Sequence, residues 1–369
     1  MRVLICGGGV IGAAIAYFLS CRGVAATVIE GTGLACAASG KSGGFLALDW
    51  CDGTPLEALA RRSFALHARL PREIGADWGY RRLTTYGGFG GSGKRARRSA
   101  DRGLDWLSAE VAVNRRLGSI ETTAQVHPAM FTTALMRAAE RRGAVLRAGR
   151  VLGVVRRDGG TGLRGMQIEG EVVEGDAVVI AMGPWSVQAC AWLPLPAVFG
   201  LKGHSLVFET GATLANDALF AEYREENGLT QAPELFPRAD GTTYVCGLSS
   251  ESPLPLDPAA VAPDPGAIER LHKICSGMSP VLAAAKVLAA QACYRPIARD
   301  GLPLIGRVPG TDNAYVATGH SVWGILNAPA TGEAVAELLL DGAPRAVDLA
   351  PFDPGRFAPL DPRVPSASR

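Results

Sequence analysis

The chain has 369 residues, 48% of them hydrophobic and 20% charged, with a formal net charge of +2. So small a positive excess argues against nucleic-acid and anionic-membrane partners, and the length favours two packed lobes over a single core. Eight cysteines, at 6, 21, 36, 51, 190, 246, 275 and 293, form no Cys-x-x-Cys pair. They point to reduced thiols in a cytoplasmic compartment and to no metal site. No signal peptide is expected, because Met1 almost begins the first predicted strand.

Arg2–Cys6 reads as a short buried strand, followed at once by Gly7-Gly8-Gly9-Val10-Ile11-Gly12, a small-residue helix over Ala13–Ser20, and a second strand over Val24–Ile29 that ends on Glu30. This is the dinucleotide-binding strand–helix–strand pattern. Gly7 permits the tight turn, Gly9 lets backbone approach a diphosphate, and Gly12 lets the helix pack on the strand. The helix N-terminus offers unpaired N–H groups to the diphosphate, with Val10 and Ile11 in that first turn. Glu30 is placed to accept hydrogen bonds from a ribose diol and would repel a 2′-phosphate. FAD and NAD both satisfy this reading; NADP does not.

Leu34–Phe45 is rich in small residues and carries Ser39, Ser42, Gly43 and Gly44, which suit a loop threading past a flat polar cofactor. Helical spacing runs over Leu56–Leu70. Arg82–Gly91 reads as a strand entering a glycine-rich turn, and Lys94–Asp101 as a solvated basic run. His127-Pro128 opens a helix that Gly143 ends. Strands are expected over Val145–Leu146 and Val151–Val155, with Val151 among the cofactor contacts. Asp176–Ala181 is a continuous apolar strand that delivers Gly183 to another nucleotide-facing turn. Ala177–Leu201 carries no formal charge, but Gly183-Pro184 and Pro194-Leu195-Pro196 would break a membrane helix.

Short antiparallel strands are expected within Leu195–Leu254 (Ser205–Glu209, Thr243–Gly247). Asp264-Pro265 reads as a cap and first residue of a helix carrying His272 on its surface. The last motif-rich stretch runs from Ala292 through Arg295-Pro296, Asp300-Gly301, Pro303, Ile305-Gly306, Gly319-His320, Trp323-Gly324-Ile325-Leu326 and Ala328–Gly332, with a helix from there to about Leu340. Beyond Gly342 the chain is proline-rich and aperiodic, and a tail of low importance is expected.

Three separated parts, the amino-terminal glycine unit, the strand ending Ala181-Met182-Gly183-Pro184-Trp185-Ser186, and the carboxy-terminal block, together resemble the D-amino-acid oxidase superfamily of FAD-dependent oxidoreductases. The glycine oxidase and sarcosine oxidase branch is the nearest in pattern. The resemblance spans nearly the whole chain. It implies a Rossmann-like α/β FAD-binding domain (1–55, 120–190 and 292–345), an inserted substrate domain on a mixed or antiparallel sheet (56–119 and 191–291), and a tail (346–369). It also implies oxidation of a carbon–nitrogen bond in a small amino-acid or amine substrate, with O2 or another acceptor taking the electrons. Gly319, Gly324, Ile325 and Leu326 would then lie near the flavin, where backbone N–H groups stabilise negative charge.

In glycine oxidase-like enzymes the arginine matching Arg295 binds the substrate carboxylate, which suits a guanidinium fork. Arg295, Trp323 and His320 are the candidate site side chains, His320 more for hydrogen bonding than as a base. Two departures stand out. A carboxylate-binding tyrosine is missing from Glu234-Leu235-Phe236-Pro237-Arg238, and no basic residue lies between His320 and Gly324. Both favour a larger, more apolar amine, with Phe236 and Trp323 as pocket walls or, alternatively, as ordinary core. Cys293 matches the position of the covalent flavin link in sarcosine oxidases, with a plain buried thiol as the alternative. Lys202 is a candidate positive charge for oxygen activation or a solvated strand-end lysine. The alternative to an enzyme is an assembly or trafficking factor in which FAD is structural.

Overall fold

A computed structural model describes residues 1–91, 104–211, 214 and 217–361; the basic run Lys94–Asp101 lies outside them. The first lobe is built on a six-stranded sheet. Val3–Cys6 lies at its centre, parallel to Ala26–Glu30 on one side and Ala177–Ile180 on the other. Val145–Ala148 and Ala314–Thr318 extend it in parallel, and Leu304–Arg307 closes one edge antiparallel. Val3–Cys6 and Ala177–Ile180 are buried at every residue, as strands covered on both faces must be.

One face carries the helices Val10–Cys21, Pro128–Glu140 and Gly324–Asp341, and the other a three-stranded sheet over Val151–Arg156, Leu163–Ile168 and Glu171–Glu174. Small residues set how closely the helices approach. A Cβ at Gly332 would stand 2.7 Å from the Ala14 backbone, so the first and last helices touch through main chain.

The second lobe is a larger sheet, ordered Lys286–Ala298, Val198–Glu209, Thr242–Ser250, Glu234–Pro237, Asp217–Arg224, Thr84–Gly91 and Val111–Gly118. Its pairings are antiparallel except that of Asp217–Arg224 with Thr84–Gly91, which is parallel. The helix Ala267–Met278 packs on its outer face, through Leu271, Ile274 and Met278.

Several sequence expectations are corrected here. The glycines of Thr84–Gly91 lie within a strand, not a turn. The helix Glu57–Ile74 shares the core of the first lobe, burying Leu59, Phe64, Leu66 and Leu70 there. The strand Lys286–Ala298 carries Cys293 and Arg295 into the second sheet. The last helix begins at Gly324 and contains Pro329, rather than starting after Gly332. The segment after Gly342 is not peripheral: Val347, Leu349 and Phe352 are buried in the first core, and Arg356 pairs with Asp300 at 2.9 Å.

Asp264 caps no helix. Gly266, at φ +75°, holds that position, and the Asp264 carboxylate accepts from Lys202 Nζ at 2.5 Å and from Ser250 and Ser252. Those donors hold it well below the usual carboxylate range. Lys202 is thus a buried, paired mid-strand residue. No helix among the described residues is long and apolar enough to cross a membrane.

Candidate functional site

A cavity of about 480 Å3 opens where the two sheets meet, and both ends of the chain contribute to its wall. At one end lies the first strand–helix turn. Gly7 takes φ +114°, and a Cβ there would stand 2.4 Å from the Ala181 carbonyl oxygen, so only glycine fits. A Cβ at Gly12 would meet the Gly7 carbonyl at 2.0 Å. Gly12 therefore lets helix pack on turn and does not itself line the cavity, whereas Gly7, Gly9, Val10 and Ile11 do.

The Glu30 carboxylate ends the second strand and accepts from the backbone N–H of Gly8 at 2.6 Å and Thr32 at 2.8 Å. Ser39 accepts from the Val10 N–H at 2.9 Å, which ties the following loop to the glycine turn. Val151 completes this end.

The loop Ser42-Gly43-Gly44 crosses to the second lobe. Arg238 donates to the Ser42 carbonyl at 2.9 Å, with its guanidinium 5.2 Å from the centre of the Tyr244 ring. A Cβ at Gly43 would collide with the Phe236 ring at 2.4 Å. Ser42 is among the residues lining the cavity, and its hydroxyl is buried without a hydrogen-bond partner among the described residues. A buried hydroxyl of this kind requires a partner that the protein does not provide. The glycine cradle, the carboxylate at the strand end and this hydroxyl together fit a bound dinucleotide.

Gly183, Trp323, Gly324, Ile325 and His320 line the other end; Gly319 and Leu326 do not. Gly319 serves the turn, at φ +78°, and Leu326 lies in the core. Ser321 takes φ +50° at the bend that leads into the last helix. Over this bend stands an aromatic group: Trp50 lies 4.9 Å from Phe220 and 6.4 Å edge-on from Trp323, and Phe236 stacks on Phe45 at 5.5 Å.

Arg295, Glu234, Cys246 and Cys293 supply the polar part of this end. Arg295 donates to Ser249 Oγ at 3.3 Å. Burial pushes the Cys293 thiol up, partly offset by the Arg295 and Lys41 charges, so it is held as a thiol. Lys202 is not in the cavity wall. Glu234, Tyr244, Trp50 and Phe220 were not among the residues selected from sequence. Strand alternation carried a usable signal for Glu234, which sits two residues before Phe236 and so on the same face.

His320 is buried and shares a hydrogen bond of 3.1 Å with Thr331 Oγ1; burial lowers its pKa to about 3. It is neutral at pH 7 and packs rather than acting as a charged group. His67 is likewise lowered to about 4, by burial. An unfolded chain titrates both rings near pH 6.5. Between pH 6.5 and about 4 the unfolded state therefore binds more protons than the native state, and stability falls as the pH is lowered. Urea unfolding of the holoprotein at pH 7, 6 and 5 is expected to show a progressive loss of a few kcal/mol. His320→Asn would flatten part of the slope.

A family model described as "FAD dependent oxidoreductase" matches residues 2–338. An oxidoreductase of Schizosaccharomyces pombe is 30% identical over 96% of this chain and 97% of its own length. Glycine oxidase of Geobacillus kaustophilus is 29% identical, covering 95% of each chain. The crystal structure of that glycine oxidase superposes with a TM-score of 0.80 at 25% identity, over 96% of this chain and 99% of the other. L-proline dehydrogenase from P. horikoshii shares the fold, with a TM-score of 0.78 at 20% identity over 96% and 97% of the two chains. With that match across most of its length, and with the glycine cradle at the cavity between its lobes, the chain belongs to the family of FAD-dependent oxidoreductases.

Proposed function

We propose that this protein oxidises the carbon–nitrogen bond of an amino acid or of a secondary amine that carries a carboxylate. One observation carries the reading. Arg295 lies in a largely apolar cavity, and among the described residues no carboxylate stands within ion-pair distance of it. A guanidinium left unpaired in such surroundings is a receptor for a planar anion. Likeness to glycine oxidase supports the same substrate class.

Bound FAD supplies the two-electron acceptor for the reaction. The residues that would hold it are Gly7, Gly9, Val10, Ile11, Glu30, Ser39, Ser42, Gly43 and Val151 at the nucleotide end, with Gly324 and Ile325 at the other. The chain does the rest. Arg295 fixes the substrate carboxylate and so orients the carbon that is oxidised. Trp50, Phe220, Phe236 and Trp323 wall the site with apolar surface and keep water out, which strengthens each charge contact inside. The N-terminus of the Gly324–Asp341 helix turns its positive end toward the cavity, where it favours negative charge. Phe236, in the stretch where glycine oxidase-like enzymes carry a tyrosine, favours a substrate with more apolar surface than glycine.

The test is an anaerobic panel of D- and L-amino acids, N-methyl amino acids and cyclic imino acids, read by bleaching of the flavin absorbance. At least one N-substituted amino acid is expected to bleach it, and failure of the whole panel would remove the substrate assignment while leaving FAD binding in place. Peroxide formed on admitting air would assign O2 as the acceptor; its absence, with reduced flavin persisting, would assign another.

A further inference from the structure

Glu234 has no role in the reading above, yet it lines the same cavity as Arg295. Its strand pairs with two others, and Glu234 faces Phe220 on one and Cys246 on the other. Its recorded side-chain contact is a long one, from the Cys246 thiol at 3.5 Å. Glu234 is half-buried between two cavities, and this thiol is its one side-chain hydrogen bond among the described residues.

The sheet geometry sets where the two charged groups sit. On the strand Thr242–Ser250 the pairing jumps from His204–Leu248 to Ser205–Cys246, leaving Gly247 as an extra residue. Such a bulge turns residues on either side of it toward one face, and here those residues are Cys246 and Ser249. Arg295 reaches in from two strands away and lies over Gly203, where a Cβ would stand 3.2 Å from its Nη2, to donate to Ser249. Glu234 leans in from the other side toward Cys246. The two charges thus stand over one strand at positions facing Gly203 and Ser205, two residues apart on the neighbouring strand, or roughly 7 Å at 3.3 Å per residue. They do not pair with each other. A ligand with a carboxylate and an amine one carbon apart, making a contact of about 2.9 Å at each end, spans that gap.

We infer that Glu234 is the second pole of the substrate site and binds the protonated amine of a zwitterion whose carboxylate is held by Arg295. This inference rests on the proposed substrate class and deepens it. Burial pushes the Glu234 carboxyl up, while Arg295 draws it down. Tyr244 and Cys246 from the adjoining strand, and Cys293 from the next but one, face the same space as uncharged groups pushed up mainly by burial. Arg115 and Glu222 lie behind Glu234, in a neighbouring cavity of about 220 Å3. The ammonium of a substrate is then the cation this carboxyl lacks.

Isosteric pairs that differ only in the amine test the inference: sarcosine against methoxyacetate, and L-proline against tetrahydrofuran-2-carboxylate. Binding to the holoprotein is read anaerobically, from perturbation of the flavin absorbance or saturation of its reduction. The wild-type protein is expected to prefer at least one amine over its oxygen analogue by about 10- to 100-fold, as a charged hydrogen bond provides. Glu234→Gln should abolish that preference and leave the oxygen analogue bound as before, which also shows that the variant is folded. An unchanged preference in Glu234→Gln, or equal weakening of amine and analogue, would overturn the role of Glu234. Acids that bind with no preference for the amine would also overturn it while leaving Arg295 as an anion receptor. If no member of the panel binds, the proposed substrate class falls, and this inference falls with it.

Discussion

Replacing Arg295 by Met is expected to weaken binding of carboxylate ligands by about 100-fold or more, near 3 kcal/mol, because truncating one side of a desolvated charge pair typically costs 2–5 kcal/mol. Methionine keeps much of the apolar stem, so the loss reports the guanidinium and not a collapsed pocket. Flavin content should be unchanged, since the residues proposed to hold the nucleotide, in the Gly7–Gly12 turn and at Ser39 and Ser42, lie at the other end of the cavity. Methoxyacetate is the informative ligand, because it offers the carboxylate without an amine and is not oxidised at a carbon–nitrogen bond. Arg295→Lys should recover only part of the affinity: an ammonium restores the charge but not the planar fork. Pyrrolidine, which has an amine and no carboxylate, should bind wild type and Arg295→Met alike. Flavin titrations that gave methoxyacetate the same affinity for wild type and Arg295→Met would show that Arg295 only braces Ser249, and the carboxylate reading would be abandoned.

The parts of this molecule that were legible in sequence are those whose cause is local. The Gly7–Gly12 turn, the apolar strands around it and the acid at Glu30 form one contiguous unit, and Gly7 and Gly12 do what their spacing implies, down to the Cβ of Gly12 that would strike Gly7. The misread parts depend on partners far along the chain. Lys202 looks solvated until Asp264, 62 residues on, is brought beside it. Asp264 in turn looks like a cap because Pro265 follows it, yet three side chains claim its carboxylate. Glu234 differs from these, because strand alternation alone puts it on the face of Phe236, a residue expected at the pocket wall. The segment beyond Gly342 has no periodicity, since Val347, Leu349 and Phe352 dock singly onto the first lobe.

Pro329 gives the sharpest case and the second large prediction. A proline inside a helix removes the N–H that would bond the carbonyl four residues earlier, here that of Ile325. This is why the helix reads as starting only after Gly332. In the structure His67, on the Glu57–Ile74 helix, places Nε2 at 2.9 Å from the Ile325 carbonyl and 3.2 Å from that of Leu326. Ser63, one turn earlier, accepts from the Ala330 N–H at 2.9 Å. Two side chains some 260 residues away in sequence thus replace the missing ladder contacts, and they brace the turn whose residues Gly324 and Ile325 line the cavity. Because burial keeps the His67 ring neutral, it has a single N–H to give, and Nε2 must carry it. His67→Leu preserves apolar volume but leaves a buried carbonyl unsatisfied, at an expected cost of about 2–3 kcal/mol in holoprotein unfolding. In a Pro329→Ala background the main chain recovers its own donor, and the same His67→Leu change should cost less by about 1–2 kcal/mol. A cycle with no such coupling would mean that His67 contributes by filling space against Phe131, whose ring centre is 4.8 Å away, and not by completing the helix that faces the site.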